Sequence, residues 1–468
     1  MLDNKNININ KIIYSSLIIL IVLYLFLKYE DNPDIYFMLN NGKYLVENGF
    51  TNIEPFTIHN FTNYTFEKWL TCIFCYTIYK YFGMIGLNVV MYLFVGITAF
   101  VIYKVYKCVG NNRYWIPLFI IGTYSLLFIQ KRPQLASNIL ILLEFYALEN
   151  YIKKDDIKYL FSLPIISILI INIHSTIYFI FYLVLLPFFF QNLKLSSNTF
   201  KISGSFNRKR LKDLILISII STITALINPY TYNTFIYNWN AYFSNSSELS
   251  IMELKPLSIE YTYIFLIVIT IFVLHIIRII KKPQIIPIRY LLLFYGFLIF
   301  TLMHMRNLQY FILFSGIILS YNYKNMPKIQ LSKYSILVIL FISILVCTFS
   351  LNTNRYEYDL LDNLNISKES KIFTDYNLGS YDEWLGYKCY IDTRSEIFDK
   401  KINKEKDIIS EYVDIYKGHY TIDEIQNIYD FDYYHIYKKN QLYYQLKNNK
   451  NWKILKETND QIIFGKNI

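Results

Sequence analysis

For its first 351 positions the chain is written in long apolar blocks separated by short polar stretches, and the blocks then stop. The first block, Ile12–Leu27, is flanked by Lys11 and Lys28. Others lie near 84–104, 114–130, 135–152, 157–172, 175–193, 213–228, 260–279, 289–304, 306–321 and 335–351. A bilayer core needs about 20 apolar residues in a helix, so the pattern predicts about eleven transmembrane helices. Helices are required because backbone groups in lipid must pair within their own segment. No small-residue cleavage site follows the first block, which predicts a retained signal-anchor helix. Residues 66–82 read as an amphipathic helix lying on the membrane interface, with Trp69 and several tyrosines.

Charge supplies an orientation. Alternate loops carry Lys104, Lys107 and Arg113; then Lys153, Lys154 and Lys158; then a basic run from Lys194 to Lys212. The same set continues with Arg278, Lys281, Lys282 and Arg289, and with Lys324, Lys328 and Lys333. The intervening loops carry few charges. Positive loops stay on the cytoplasmic side, so the amino terminus is expected inside a multi-pass cell-membrane protein. The long loop 28–83 and everything after 351 are then expected outside.

The tail changes character. Residues 352–468 are rich in charge, and no apolar run reaches spanning length. KCYIDT and QIIFG read as short strands, and 404–416 and 421–429 as helices. The expected organisation is a membrane domain, 1–351, with a small extracytoplasmic α/β domain, 352–468.

Composition narrows the class. Charged residues are 17% and hydrophobic ones 54%, where soluble proteins are about a quarter charged. An ordinary cytosolic enzyme and a disordered chain are both excluded. The net charge of +11 sits in loops, as a topology signal would, and gives no reason to invoke a nucleic-acid partner. Cys72 and Cys75 form a C-x-x-C within an apolar, aromatic stretch with no second Cys/His pair nearby. That context favours two packed thiols over a metal or redox site.

The loops expected outside hold the candidate chemistry. Asp34, just beyond the first block, is placed to meet both water and the membrane surface, or simply to begin a helix. Lys131-Arg132-Pro133-Gln134 interrupts two blocks on the side where basic charge is disfavoured. Asn172 and His174 end another block, and His304 and Arg306 lie between two more. Ionisable groups at membrane depth are costly and mark function. Arg132, His174, His304 and Arg306 on one face predict a cavity for an anion, since guanidinium forks match phosphate oxygens. Glu54 and Glu253 add carboxylates there. The alternative is a salt-bridge lattice that only braces the loops. In the tail, Asp392 and Arg394 read as an internal ion pair.

The order of these stretches resembles the GT-C integral-membrane glycosyltransferases, within them a poorly characterised bacterial and archaeal group. The matching stretches are NPDIYFMLNNG (32–42), EPFT (54–57), EKWL (67–70), RPQ (132–134), NIH (172–174), NPY (228–230), IMELKP (251–256) and RNLQYF (306–311). LGSYDEWLGYKCYIDTRSEIF (378–398) matches in the tail. The chain departs from the group's pattern at Asn32, Met38 and Lys68, where the group has Asp, His and an acid; Glu67 adjoins the last. The resemblance implies transfer of a sugar from a polyprenyl-phosphate donor to an acceptor on the outer face. Asp34 would act as base, with Glu54 or Glu67 as a second acid. Arg132, His174 and Arg306 would hold the donor phosphate, and Gln134, Asn172, Glu253 and His304 would line the substrate site. A divalent metal ion often takes part in such enzymes. Neither a nucleotide-binding glycine loop nor a P-loop is present, which suits a lipid-linked donor and equally a transporter or flippase. A non-catalytic GT-C-like assembly partner is the third reading.

Overall fold

The computed structural model describes residues 32–110, 115–128, 130–191, 206–244, 251–281, 285–322 and 364–467, with the short pieces 196–197, 202–204, 249 and 360–362. The expected anchor Ile12–Leu27 and the block 335–351 lie outside the described residues. The chain divides into two compact units. One comprises 1–30, 88–231 and 252–353; the other comprises 31–87, 232–251 and 354–468. The long loop after the first block therefore belongs to the same unit as the tail.

Each described apolar block is helical, and two further helices fall in the loops 28–83 and 229–259: α1 is Asp34–Asn48, α2 Trp69–Val109, α3 Trp115–Phe128, α4 Gln134–Lys154, α5 Ser162–Ile173, α6 Tyr178–Phe190 and α7 Arg208–Ala225. They continue with α8 Asn233–Tyr242, α9 Thr262–Lys281, α10 Ile288–Met303 and α11 Leu308–Asn322. Among the described residues one helix, α2, is long and apolar enough to cross a membrane; several others are shorter apolar helices. Gly83 breaks α2 with φ 61° and ψ −160°, a left-handed conformation that glycine adopts without Cβ strain. The break separates the interfacial stretch expected at 66–82 from the apolar block beginning at 84.

In the first unit the ends of the helices follow their sequence. Pro133 precedes α4 and Pro287 precedes α10, where a missing N–H costs nothing. The Asn207 side chain caps α7 by accepting from the Arg210 N–H at 3.1 Å. Two helix pairs turn in the same way. After α5, His174 leaves the helix with φ −158° and ψ 75°, and Ser175–Ile177 makes a short 3-10 turn into α6. After α10, His304 is extended and Met305–Asn307 does the same into α11. The histidines thus occupy equivalent corners. At the other helix ends, Arg289 makes a bidentate pair with Glu149, both bonds 2.9 Å, and Tyr290 donates to the same carboxylate at 2.6 Å. Arg278 donates to the Asn322 carbonyl at 2.7 Å. Two charges that count towards loop orientation are therefore buried inside the bundle and paired there.

The second unit is built on a five-stranded mixed sheet. Its strands are β1 Lys371–Thr374, β2 Lys388–Cys389, β3 Tyr433–Tyr437, β4 Trp452–Glu457 and β5 Gln461–Lys466. The order is β2-β1-β3-β5-β4, with β1 parallel to β2 and β3, and β5 antiparallel to β3 and β4. Helices α12 Tyr376–Trp384, α13 Lys400–Asn403, α14 Ile408–Lys417, α15 Ile422–Tyr429 and α16 Gln441–Asn448 complete it. The expected tail strands and helices are present, although only the first two residues of KCYIDT join the sheet. The core is aromatic: Phe373 stacks on Tyr390 at 4.9 Å, and Phe431 lies edge-on to Tyr390 at 5.8 Å and to Tyr434 at 5.7 Å. Buried Asp375 anchors it, accepting from the Tyr412 hydroxyl at 2.7 Å and the Tyr437 N–H at 2.6 Å.

Two glycines permit close contacts in this unit. A Cβ at Gly42 would lie 2.1 Å from the Cys72 carbonyl oxygen, so α1 and α2 meet backbone to backbone there. A Cβ at Gly379 would lie 1.9 Å from the Ile391 carbonyl, which lets α12 rest on the chain leaving β2. Cys72 and Cys75 are free thiols on α2; Cys72 is buried in the α1–α2 core and Cys75 packs against it.

Candidate functional site

In the second unit the loop after α1 is laced to the tail. Ile58 N–H donates to the Cys389 carbonyl at 3.0 Å, and Lys388 donates to the Pro55 carbonyl at 2.6 Å. Arg394 is the hub. Its guanidinium meets Asp392 through Nε at 2.9 Å, Glu54 at 2.9 Å, Glu383 at 3.4 Å and the Tyr64 hydroxyl at 3.0 Å. Phe56 lies 5.0 Å from it, ring face towards the cation. Glu54, the expected second catalytic acid, is fully buried. Besides Arg394 it accepts from the Phe56 N–H at 3.0 Å, the Thr57 N–H at 2.8 Å and the Thr57 hydroxyl at 2.6 Å. Burial and then the crowding against Asp392 raise Glu383 well above the usual carboxylate range. Asp392 and Arg394 form the internal pair read from YIDTR, and Glu54 and Glu383 extend it into a network.

His59 sits beside that network, its Nε2 2.8 Å from the Tyr390 carbonyl and its ring stacked on Phe61 at 5.1 Å. Burial, the leading cause, pushes its imidazole from 6.5 down to about 4; the Tyr390 carbonyl and the charges of Glu54 and Glu411 pull weakly the other way. The folded chain holds a neutral ring that the unfolded chain protonates more readily. This group's contribution to stability is full above 6.5 and is lost as pH falls towards about 4. His59→Phe is expected to flatten that acid-side slope in unfolding titrations run at a series of pH values. An unchanged slope would mean the ring is solvated.

A second cluster in the same unit surrounds Asp34. Asp34 is the first residue of α1, its N–H accepted by the Asn32 side chain at 2.9 Å. Lys68, just before α2, is ion-paired to Glu67 and lies 5.3 Å over the Phe37 ring. Burial works against the Lys68 charge, but Glu67, Glu396 and Asp34 outweigh it and raise the ammonium above its ordinary value. Asp34 and Glu396 both act on Tyr376, whose hydroxyl donates to the Thr393 carbonyl at 2.9 Å. Glu396 and Glu67 act also on buried Tyr237 of α8. Asp34, Glu67, Lys68, Tyr376 and Glu396 are each partly accessible. Glu396, Tyr376 and Tyr237 carried no sequence signal. They lie hundreds of positions from Asp34, and only the fold joins them.

In the first unit the expected cation set is linked by contacts. Arg132 pairs with Glu253 at 2.6 Å. The next residue, Leu254, offers its carbonyl to His304 Nδ1 at 2.9 Å, and the Met305 N–H donates to the Lys255 carbonyl at 3.0 Å. Arg306 is exposed one step further. Its carbonyl accepts from Gln309, which accepts from Asn138 at 2.8 Å. Asn138 shares α4 with Gln134 and with Ser137, whose hydroxyl lies 3.3 Å from His174 Nδ1. His174 is buried, and Asn172 donates to the Ile227 carbonyl at 2.9 Å, tying α5 to the turn after α7. Arg132, Gln134, His174, Glu253, His304 and Arg306 thus belong to one connected belt. Arg132 and Glu253 keep 21% and 47% of their side chains exposed. An exposed pair is worth about 0–1 kcal/mol, so a phosphate could displace Glu253 from Arg132 at little cost. Among the described residues no three His, Cys, Asp or Glu side chains are grouped as a metal site.

Comparison with known proteins gives the fold a relative. No protein-family model matches the chain, and no curated protein matches it by sequence. Solved structures do. The archaeal oligosaccharyltransferase AglB from Archaeoglobus fulgidus, in complex with an inhibitory peptide and a dolichol-phosphate, superposes with a TM-score of 0.58 at 11% identity, covering 91% of this chain and 69% of that one. An Archaeoglobus fulgidus oligosaccharyltransferase tethered to an acceptor peptide gives 0.55 at 12% identity, covering 90% and 68%. The mycobacterial arabinofuranosyltransferase AftD gives 0.50 at 8% identity, covering 97% of this chain and 40% of that one.

Proposed function

We propose that this chain, which has the fold of the GT-C membrane glycosyltransferases, moves a sugar from a polyprenyl-phosphate donor to an acceptor hydroxyl on the outer face of the cell membrane. The observation that carries the reading is the fold similarity over 91% of the chain to an oligosaccharyltransferase whose structure holds a dolichol-phosphate. The amino terminus lies inside, about eleven helices span the bilayer, and the loop 28–83 and the tail from 352 work outside. In the reaction the acceptor oxygen attacks the sugar's anomeric carbon, the bond from that carbon to the phosphate oxygen breaks, and polyprenyl phosphate leaves. Asp34 takes the acceptor proton. Arg132, His174 and Arg306 meet the negative charge that grows on the phosphate. Gln134, Asn172, Glu253 and His304 line the substrate site beside those cations in the first unit. Glu54 holds Arg394 and the turn at Thr57, so its part is to fasten the loop after α1 to the tail.

The phosphate site can be tested without knowing the sugar. Native mass spectrometry of the detergent-solubilised protein is expected to show bound polyprenyl phosphate. Arg132→Gln combined with Arg306→Gln should weaken it by about tenfold or more, the loss of about 1.4 kcal/mol. Equal binding by the variant would remove these two arginines from the donor site.

A further inference from the structure

Helix α8, Asn233–Tyr242, lies in the loop 229–259, where no apolar block marks a helix. Its two faces differ in kind. Thr234, Tyr237 and Ala241 are buried, and Tyr237 and Ala241 pack with Ile402 of α13. On the other face Tyr232, Ile236, Trp239 and Phe243 recur every three or four residues, the spacing of one helical stripe. They are 63%, 52%, 68% and 51% exposed, and the Trp239 and Phe243 ring centroids are 5.0 Å apart. A water-facing stripe would ordinarily be polar or charged, yet 228–244 contains no Asp, Glu, Lys or Arg. The cations stand beside it. Lys400 and Lys401 of α13 and Lys404 just after it are exposed. Lys401 Nζ donates at 2.6 Å to the carbonyl of Phe243, which caps the end of α8.

We propose that the exposed face of α8 docks on the headgroup region of an anionic lipid leaflet, with Lys400, Lys401 and Lys404 meeting lipid phosphates at its edge. Three observations favour a bilayer as the occupant. Trp and Tyr settle at the membrane–water interface, ring body towards the acyl chains and polar edge towards the headgroups, and Trp239 and Tyr232 are the two most exposed members of the stripe. Lysines flanking such a stripe match anionic headgroups, as in helices that lie in the interface plane. The chain also enters α8 from a helix with an apolar outer side. In and just after α7, Leu216, Ile219, Ile223 and Ile227 are exposed at helical spacing, as a lipid-facing stripe would be. Residues 228–231 then turn tightly, the Asn228 side chain donating to the Ala225 and Thr231 carbonyls at 2.8 and 3.0 Å. Docking would reach further than α8 itself. The Thr62 N–H donates to Glu405 at 3.0 Å and the Asn63 side chain to the Asn403 carbonyl at 3.3 Å, so the helix holds the loop 50–65 and the tail to the lipid surface through α13. The docking does not depend on sugar transfer; its assignment to the outer leaflet rests on the topology proposed above.

The test is the fluorescence of Trp239, read as the difference between full-length wild type and Trp239→Phe in nanodiscs of phosphatidylcholine and phosphatidylglycerol. Phospholipid brominated high on its acyl chains is expected to quench that difference by about half or more, while acrylamide in the water quenches it weakly. Leaving out phosphatidylglycerol should reduce the bromine quenching, and Lys400→Gln, Lys401→Gln and Lys404→Gln together should reduce it in the anionic disc. Thermal unfolding of each variant checks that the fold is kept. Trp239→Tyr supplies the difference if Trp239→Phe fails to fold, and Lys400→Gln with Lys404→Gln replaces the triple variant in the same event. Strong acrylamide quenching without bromine quenching would show a face open to water and overturn the proposal. Quenching by neither agent would show a face covered by protein, a second copy included, and would overturn it too. So would bromine quenching that is indifferent both to lipid charge and to the lysines. None of these readouts measures sugar transfer, so a failure here is distinct from a failure of the transfer reading.

Discussion

Asp34→Asn is expected to lower sugar transfer by about 10²–10⁴-fold, the usual worth of a positioned general base. The same change should leave the fold nearly untouched. The N-terminus of α1 is already served by the Asn32 side chain, which accepts the Asp34 N–H at 2.9 Å. What the carboxylate adds to the helix is its charge against the dipole, about 0.3–1 kcal/mol. A purified variant that unfolds within about 1 kcal/mol of wild type but has lost transfer separates chemistry from stability. A variant that retains wild-type rates would move the base elsewhere, with Glu67 and Glu396, whose charges act with that of Asp34 on Lys68, the next carboxylates to test.

Arg394→Leu is expected to have the largest effect on stability. Arg394 is the shared partner of Glu54, Asp392 and Glu383, all buried. Breaking a buried pair from one side leaves an uncompensated charge and costs about 3–5 kcal/mol, and here one cation serves three acids. Arg394→Lys should not restore the loss, because a single ammonium cannot meet Asp392, Glu54 and the Tyr64 hydroxyl at once. Limited proteolysis and thermal unfolding of the full chain would report it, with early cleavage in both the loop 50–65 and the tail, since Arg394 ties the two together. A loss below about 1 kcal/mol, the range of a surface pair, would mean that the network is solvated.

Much of this arrangement was legible in the sequence because hydrophobic runs are a local signal. Helices α2 to α7 and α9 to α11 lie where the apolar blocks are, whereas α8 falls in the loop 229–259, where no block marks it; the break between 66–82 and the block from 84 falls at Gly83. The tail's strand at Gln461–Lys466 and its helix at Ile422–Tyr429 were readable for the same reason. Thr421 and Glu424 form a capping box at the start of that helix. The pairing of Asp392 with Arg394 was visible because the two are only two positions apart. What the sequence could not display were contacts between distant stretches. Glu54 reads as an exposed acid on an outer loop, yet the tail buries it against Arg394. Glu396 carried no sequence signal, and the fold brings its charge to bear on Lys68 with those of Glu67 and Asp34. Arg278 and Arg289 read as loop charges, and the bundle pairs both inside. Each depends on packing at a separation that no window of sequence reports.

The central claim is that this chain consumes a lipid-phosphate-linked sugar and that Asp34 is the group that lets it do so. The direct measurement is release of polyprenyl phosphate from polyprenyl-phosphate-linked pentoses and hexoses by the protein reconstituted in vesicles, followed by mass spectrometry with an extract of cell-envelope acceptors present. The account predicts release by wild type, for at least one sugar, with matching mass gain on an acceptor and loss of both in Asp34→Asn. Intact donor with every sugar, or equal release by wild type and Asp34→Asn, would contradict it.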